Sequence, residues 1–181
     1  MYTWFRPLVS NTPNIQTTPI NSVAIGGNPI FSSKHSKIAE YLNSIRIYDE
    51  QVKIILDYIH KNFNAALTNK ENKVAFTENI SKYKADTENY VLLLSNIKYP
   101  EDMQEYHNII KQKYDTVFEE VIYASETMKT GNTTNISHLN YLSEKYNLLA
   151  KQQTQQMLSA FDKVGIKYQQ NGNNIQYWYN K

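Results

Sequence analysis

The sequence predicts an all-α protein: an antiparallel up-down-up-down four-helix bundle, with an extended N-terminal arm over residues 1–32 and a small C-terminal β-hairpin over residues 166–181. Three observations lead there. From residue 33 to residue 99 there is neither proline nor glycine, and apolar side chains recur three and four residues apart, the period of one helix face. That stretch holds two helical patterns, and two more follow it, stopping at Gly131 and Gly165. The polar links between patterns are short, which places neighbouring long helices antiparallel.

The arm carries Pro7, Pro13, Pro19 and Pro29, the flexible pair Gly26-Gly27, and Arg6 as its only charge. Proline removes an amide donor and biases the residue before it to extended geometry, so the arm reads as coil or edge strand. Its apolar residues, from Trp4 and Phe5 to Val23 and Ile25, are too many for a solvated tail, and docking is expected. The first helix runs through Ile38, Leu42, Ile45, Val52, Ile55, Ile59, Phe63 and Ala66, with Ser32 or Ser33 as its N-cap and "LTNKENK" as a polar break near residue 70. The second runs through Phe76, Ile80, Tyr83, Thr87, Tyr90, Leu94 and Ile97 and ends before Pro100.

Pro100 is expected at the first position of the third helix, where a missing amide proton costs nothing, with Glu101 and Asp102 at the positive end of the helix dipole. That helix continues through Met103, His107, Ile110, Tyr114, Val117, Val121, Ala124 and Met128 to a left-handed cap at Gly131. The fourth begins after "GNTTN" and runs from Ile136 to Val164, each helix spanning roughly 27–34 residues. In the tail, segments 166–169 and 174–179 flank Asn171-Gly172, a type I′ turn signal. A lone hairpin is marginal, so it needs a third strand or a surface, and the arm's "NSVAIGG" is one candidate for the strand.

Composition limits the function classes. At 181 residues the chain has room for one core. A net charge of +2, with Arg6 and Arg46 as the only arginines, argues against nucleic acid as a partner. The absence of cysteine removes disulfides, thiolate metal sites and a cysteine nucleophile. No run approaches the ~20 apolar residues of a membrane span, and "MYTWFRPLVSNTPNIQ" lacks the basic start and apolar stretch of a signal peptide. The cytoplasm is the default expectation.

The stretch "YPEDMQEYHNII" gathers three carboxylates and a histidine. Glu101 and Asp102 read as helix-start residues, and His107 lies on the buried stripe as a packed histidine. Carboxylate-bridged di-metal bundles use Glu-x-x-His on two helices, which this chain lacks. His35, His60 and His138 read as surface or boundary residues, and Asp49, Glu50, Asp86 and Glu88 as solvated-face acids. No His-x-x-x-His pair, phosphate-binding glycine loop or G-x-S-x-G elbow occurs. No enzymatic activity, cofactor or metal is therefore expected. Gln153, inside "KQQTQQM", sits at a stripe position and could fix helix register, although a solvated face is the default. The tyrosines spread over the helices read as core-boundary residues. The concentrated aromatics Trp4, Phe5, Tyr177, Trp178 and Tyr179 are the candidates for an interaction surface.

The arrangement "LLLSNIKYPEDMQEYHNIIKQKY" is similar to helical-bundle domains of uncharacterised exported proteins and lipoproteins of Gram-positive bacteria. The similarity covers about residues 76–164, with Pro100 and His107 as its specific positions, and the chain departs from it in having no export signal or lipid-attachment cysteine. It implies a bundle and a spore or envelope setting, with no catalytic residues. The expectation is a non-enzymatic structural or interaction protein whose partner is another protein or a second copy. The alternative is a sensory bundle that binds a small molecule or lipid in a cavity between helices, near His107 and Gln153.

Overall fold

The computed structural model of the chain describes residues 14–17, 33–171 and 174–178. Four helices, α1 (Ser33–Thr68), α2 (Lys70–Asn96), α3 (Gln104–Thr130) and α4 (Asn135–Val164), form the expected bundle. A 3-10 turn at Glu101–Met103 precedes α3, and three short strands complete the fold: β1 (Asn14–Thr17), β2 (Lys167–Asn171) and β3 (Asn174–Trp178).

The links decide the packing. Between α1 and α2 the expected polar break shrinks to one residue, Asn69, whose extended backbone (φ −128°, ψ 127°) reverses the chain. Its side-chain oxygen accepts from the Glu71 and Asn72 amides at 2.8 and 3.1 Å, while its own amide donates to the Ala65 carbonyl at 3.1 Å. One side chain thus caps the new helix while the old ladder is still closing, and α1 reaches 36 residues, beyond the expected length. The reversal is antiparallel: Tyr48 meets Tyr90, and Tyr58 meets Tyr83 and Phe76.

Pro100 corrects the expected start of the third helix. Its ψ of 145° is extended, so it is the residue before the 3-10 turn and not the first helical one. Its carbonyl accepts from the Met103 amide at 2.9 Å, and Glu101 and Asp102 occupy the tight turn instead of α3 itself. Gly131 (φ 71°) and Gly165 (φ 77°) take the left-handed caps their positions demand. The Gly131 amide donates to the Thr127 carbonyl at 2.9 Å.

The four apolar stripes meet in one core that includes Ile45, Phe63, Phe76, Ile110, Val117, Leu139 and Met157. Burial of each large side chain of this kind is worth about 1.5–3 kcal/mol relative to exposure. α3 packs against α1, α2 and α4. Threonines fit its interior because Thr116 and Thr127 return their hydroxyl protons to the carbonyls four residues back, at 2.7 and 2.8 Å.

The strands form one sheet in the order β1-β3-β2. β2 and β3 are antiparallel with Asn171 opposite Asn174, so the two residues between the strands are 172 and 173, outside the described residues, and the turn is not centred on Asn171-Gly172. The third strand is "NIQT", residues 14–17, parallel to β3 with Asn14 opposite Asn174. The candidate "NSVAIGG" lies outside the described residues. A parallel partner needs a long connection, and the helices supply it.

Candidate functional site

Two polar layers cross the seam between α1, α3 and α4. In the first, the Lys113 ammonium is fully enclosed and donates to Asp49 Oδ1 at 2.9 Å and to Gln153 Oε1 at 2.5 Å. Gln153 Nε2 donates in turn to the Tyr106 hydroxyl at 3.2 Å and Asp49 Oδ2 at 3.4 Å. The Tyr146 ring centroid lies 5.2 Å from the ammonium, within reach of its quadrupole. Burial and the nearby Asp49 carboxylate push the Tyr106 and Tyr114 phenols up, so both keep their protons. The Tyr114 hydroxyl is buried with no hydrogen-bond partner among the described residues.

In the second layer, His60 Nε2 lies 2.8 Å from Glu120 Oε1, and Ser143 Oγ lies 3.4 Å from the same nitrogen. Burial raises the Glu120 carboxyl above its usual range, partly offset by the hydrogen bond and charge of His60. The residue types are those of a Ser-His-acid triad, but a triad sets the acid on the nitrogen away from the nucleophile. Here hydroxyl and carboxylate share one nitrogen, and Ser143 and Glu120 are both fully enclosed. The arrangement is an internal tie between three helices.

At the end of the bundle where α1 begins, the Tyr41 hydroxyl lies 2.8 Å from His107 Nδ1. The Tyr99 ring stacks on the imidazole with centroids 4.1 Å apart and planes 18° from parallel. Burial, then the Lys111 charge, lowers the His107 pKa, which favours the neutral ring. Burial, then Tyr106 and Tyr99, raises that of Tyr41, which keeps its proton and can donate it to Nδ1. Beside this pair opens a cleft of about 520 Å³, lined by Lys37, Glu40, Tyr41 and Ser44 of α1 and by Lys98, Tyr99 and Pro100 of the link. The four α1 residues fall at i, i+3, i+4 and i+7, one face of the helix.

His107 and Gln153 are thus both buried, and each is engaged by this chain's own groups. For Gln153 the solvated-face default gives way because Lys113 and Asp49 converge on it. Tyr177 is corrected from a surface candidate to a core residue. It and Ile175 lie two apart on β3, hence on one face, and both are fully buried, with the Tyr177 ring 4.9 Å from Phe161. Trp178 is half-buried, while Trp4, Phe5 and Tyr179 lie outside the described residues. Asp49, expected on a solvated face, is instead the acid that balances Lys113.

Sequence reasoning passed over Lys113 and Glu120, and the signal was present. Tyr106, Lys113, Glu120 and Thr127 are seven residues apart along α3 and all buried, a line beside the apolar stripe. No group of three or more metal-binding side chains occurs among the described residues, and no helix among them is long and apolar enough to cross a membrane. No family model, curated protein or solved structure matches the chain.

Proposed function

We propose that this chain is a non-enzymatic helical-bundle protein that works by binding another protein or a second copy of itself. The observation that carries the reading is a pair of apolar lines on the outer surface. Ile47 and Ile54 on α1, and Tyr141 and Leu148 on α4, are each more than half exposed. Within each pair the spacing is seven residues, the repeat of a coiled-coil seam. Single exposed apolar residues are ordinary, whereas two such lines suit a partner that brings an amphipathic helix. The Lys113 layer supports the non-enzymatic part, since its charged groups are spent on one another. A spore or envelope setting belongs to the same proposal and rests on the sequence resemblance alone.

The test is sedimentation and cross-linking of the full chain beside Ile47→Lys/Ile54→Lys. The expected result is an associated species that the variant loses while its helical signal persists. Identical monomers, with identical cross-links to cell extract, would overturn the reading.

A second reading, a small-molecule-binding bundle, is favoured by the cleft at Tyr41 and Tyr99. It places the ligand at the bundle end and not between the helices.

A further inference from the structure

We infer that the cleft between α1 and the α2–α3 link takes a flat aromatic monoanion, an aromatic carboxylate or sulfonate. The inference rests on the small-molecule reading and names its ligand class. The volume, about 520 Å³, lies within the few-hundred to ~1,000 Å³ of small-ligand sites. The apolar wall is aromatic: Tyr41 is buried, and Tyr99, 40% exposed, lines the opening. One face of the Tyr99 ring is already stacked on His107. That support holds the ring without a ligand, so an aromatic guest meets a preformed surface and little side-chain freedom is lost on binding.

The charge of the guest follows from the rim. Lys37 and Lys98 line the cleft, and neither has an ion pair or hydrogen bond with any described residue. Nearby Lys34, by contrast, is paired with Asp102 at 3.4 Å. The two cations face one carboxylate, Glu40, and the Ser44 hydroxyl, which donates to the Tyr41 carbonyl at 2.7 Å and keeps its oxygen available as an acceptor. Two positive charges against one negative leave an excess of one. A monoanion balances it, a dianion overshoots, and a cation is repelled. Glu40 and Ser44 can accept a hydrogen bond from a hydroxyl or amine on the guest.

Two probes separate the class from the site. Anilinonaphthalene sulfonate carries a flat naphthalene ring and one negative charge, and N-phenyl-naphthylamine is its uncharged counterpart; both fluoresce in apolar surroundings. Titrated into the full chain, the sulfonate is expected to bind at one site, more tightly than the amine. Lys37→Glu/Lys98→Glu, with both residues on the surface, should weaken the sulfonate by about tenfold or more, each tenfold being about 1.4 kcal/mol, and leave the amine within about twofold. Tyr99→Ala should weaken both probes, and Lys129→Glu, an exposed position in the last turn of α3 and outside the cleft lining, neither. Helical melting curves confirm that each variant is folded. If the lysine variant binds the sulfonate as well as the parent does while Tyr99→Ala loses both probes, the monoanion class is wrong and the site stands. If Tyr99→Ala changes neither probe, the cleft is not the site and the small-molecule reading falls with it.

Discussion

The mid-bundle Lys113 layer and the Tyr41 cleft are both built on lysine, tyrosine and a carboxylate, yet they behave oppositely. In the layer, the ammonium has two side-chain acceptors, an aromatic ring 5.2 Å away, and no contact with solvent. At the cleft, two lysines stand in water with no partner among the described residues. Burial, not residue type, decides whether a charge is a structural tie or a recognition element. Inside, an ion is tolerated only when it is satisfied. At the surface an unsatisfied cation costs little and remains available.

The largest expected effect comes from breaking the layer. Asp49→Ala strands the Lys113 charge, and the chain should lose about 3 kcal/mol of stability, near the lower end for a broken buried pair because Asp49 is partly exposed. Urea unfolding measures it. Combining Asp49→Asn with Lys113→Met should recover most of that loss, since the buried charge then goes with its partner. Retention of full stability by Asp49→Ala alone would remove the distinction between the two regions.

Tyr114→Phe sharpens the point from the other side. It deletes a buried hydroxyl with no partner among the described residues, so stability should rise by about 1 kcal/mol, read as a higher melting temperature.

His107 joins the two regions, buried like the layer but in contact with the Tyr99 wall. Its folded pKa is lowered from 6.5, so below that value the unfolded chain binds more protons than the folded one. The stability it contributes is complete above 6.5 and is lost as pH falls through the lowered folded value. Melting temperatures should fall more steeply for the parent than for His107→Gln between about pH 7.5 and about pH 5, a window reaching about one unit or more either side of the ordinary histidine pKa.

The smallest effect is expected at the rim. Lys37→Gln/Lys98→Gln should change stability by less than about 0.5 kcal/mol. A larger loss in the same unfolding assay would mean that these lysines hold the fold together and are not available to a ligand.

The bundle was legible because its signals are local. Apolar residues at three and four spacing, a proline between two patterns, and glycines at the left-handed caps each act within a few residues of themselves. The polar layers were not, because their logic is tertiary. Lys113 and Glu120 look like surface residues to any rule that assigns charge to solvent. Their partners, Asp49 and His60, lie on α1, brought close only by packing. Gln153 was legible as a position, since it falls on the stripe, but its role depended on Lys113. The aromatic tail misled for a related reason: alternation along β3 turns Tyr177 inward, and strand register depends on a turn that local sequence centred one residue early. The cleft had one visible trace, the 37, 40, 41, 44 spacing on α1, while its opposite wall comes from a link more than fifty residues away.

The parallel pairing of β1 with β3 has a consequence for how the molecule is made. A ribosome releases β1 before any helix and β3 only after all four, so at cellular synthesis rates the first strand waits on the order of ten seconds for its partner. During that interval the helical hairpins, whose contacts are local, can close in sequence. Seating of the sheet then follows closure of the bundle, and it joins a strand made before the helices to one made after them.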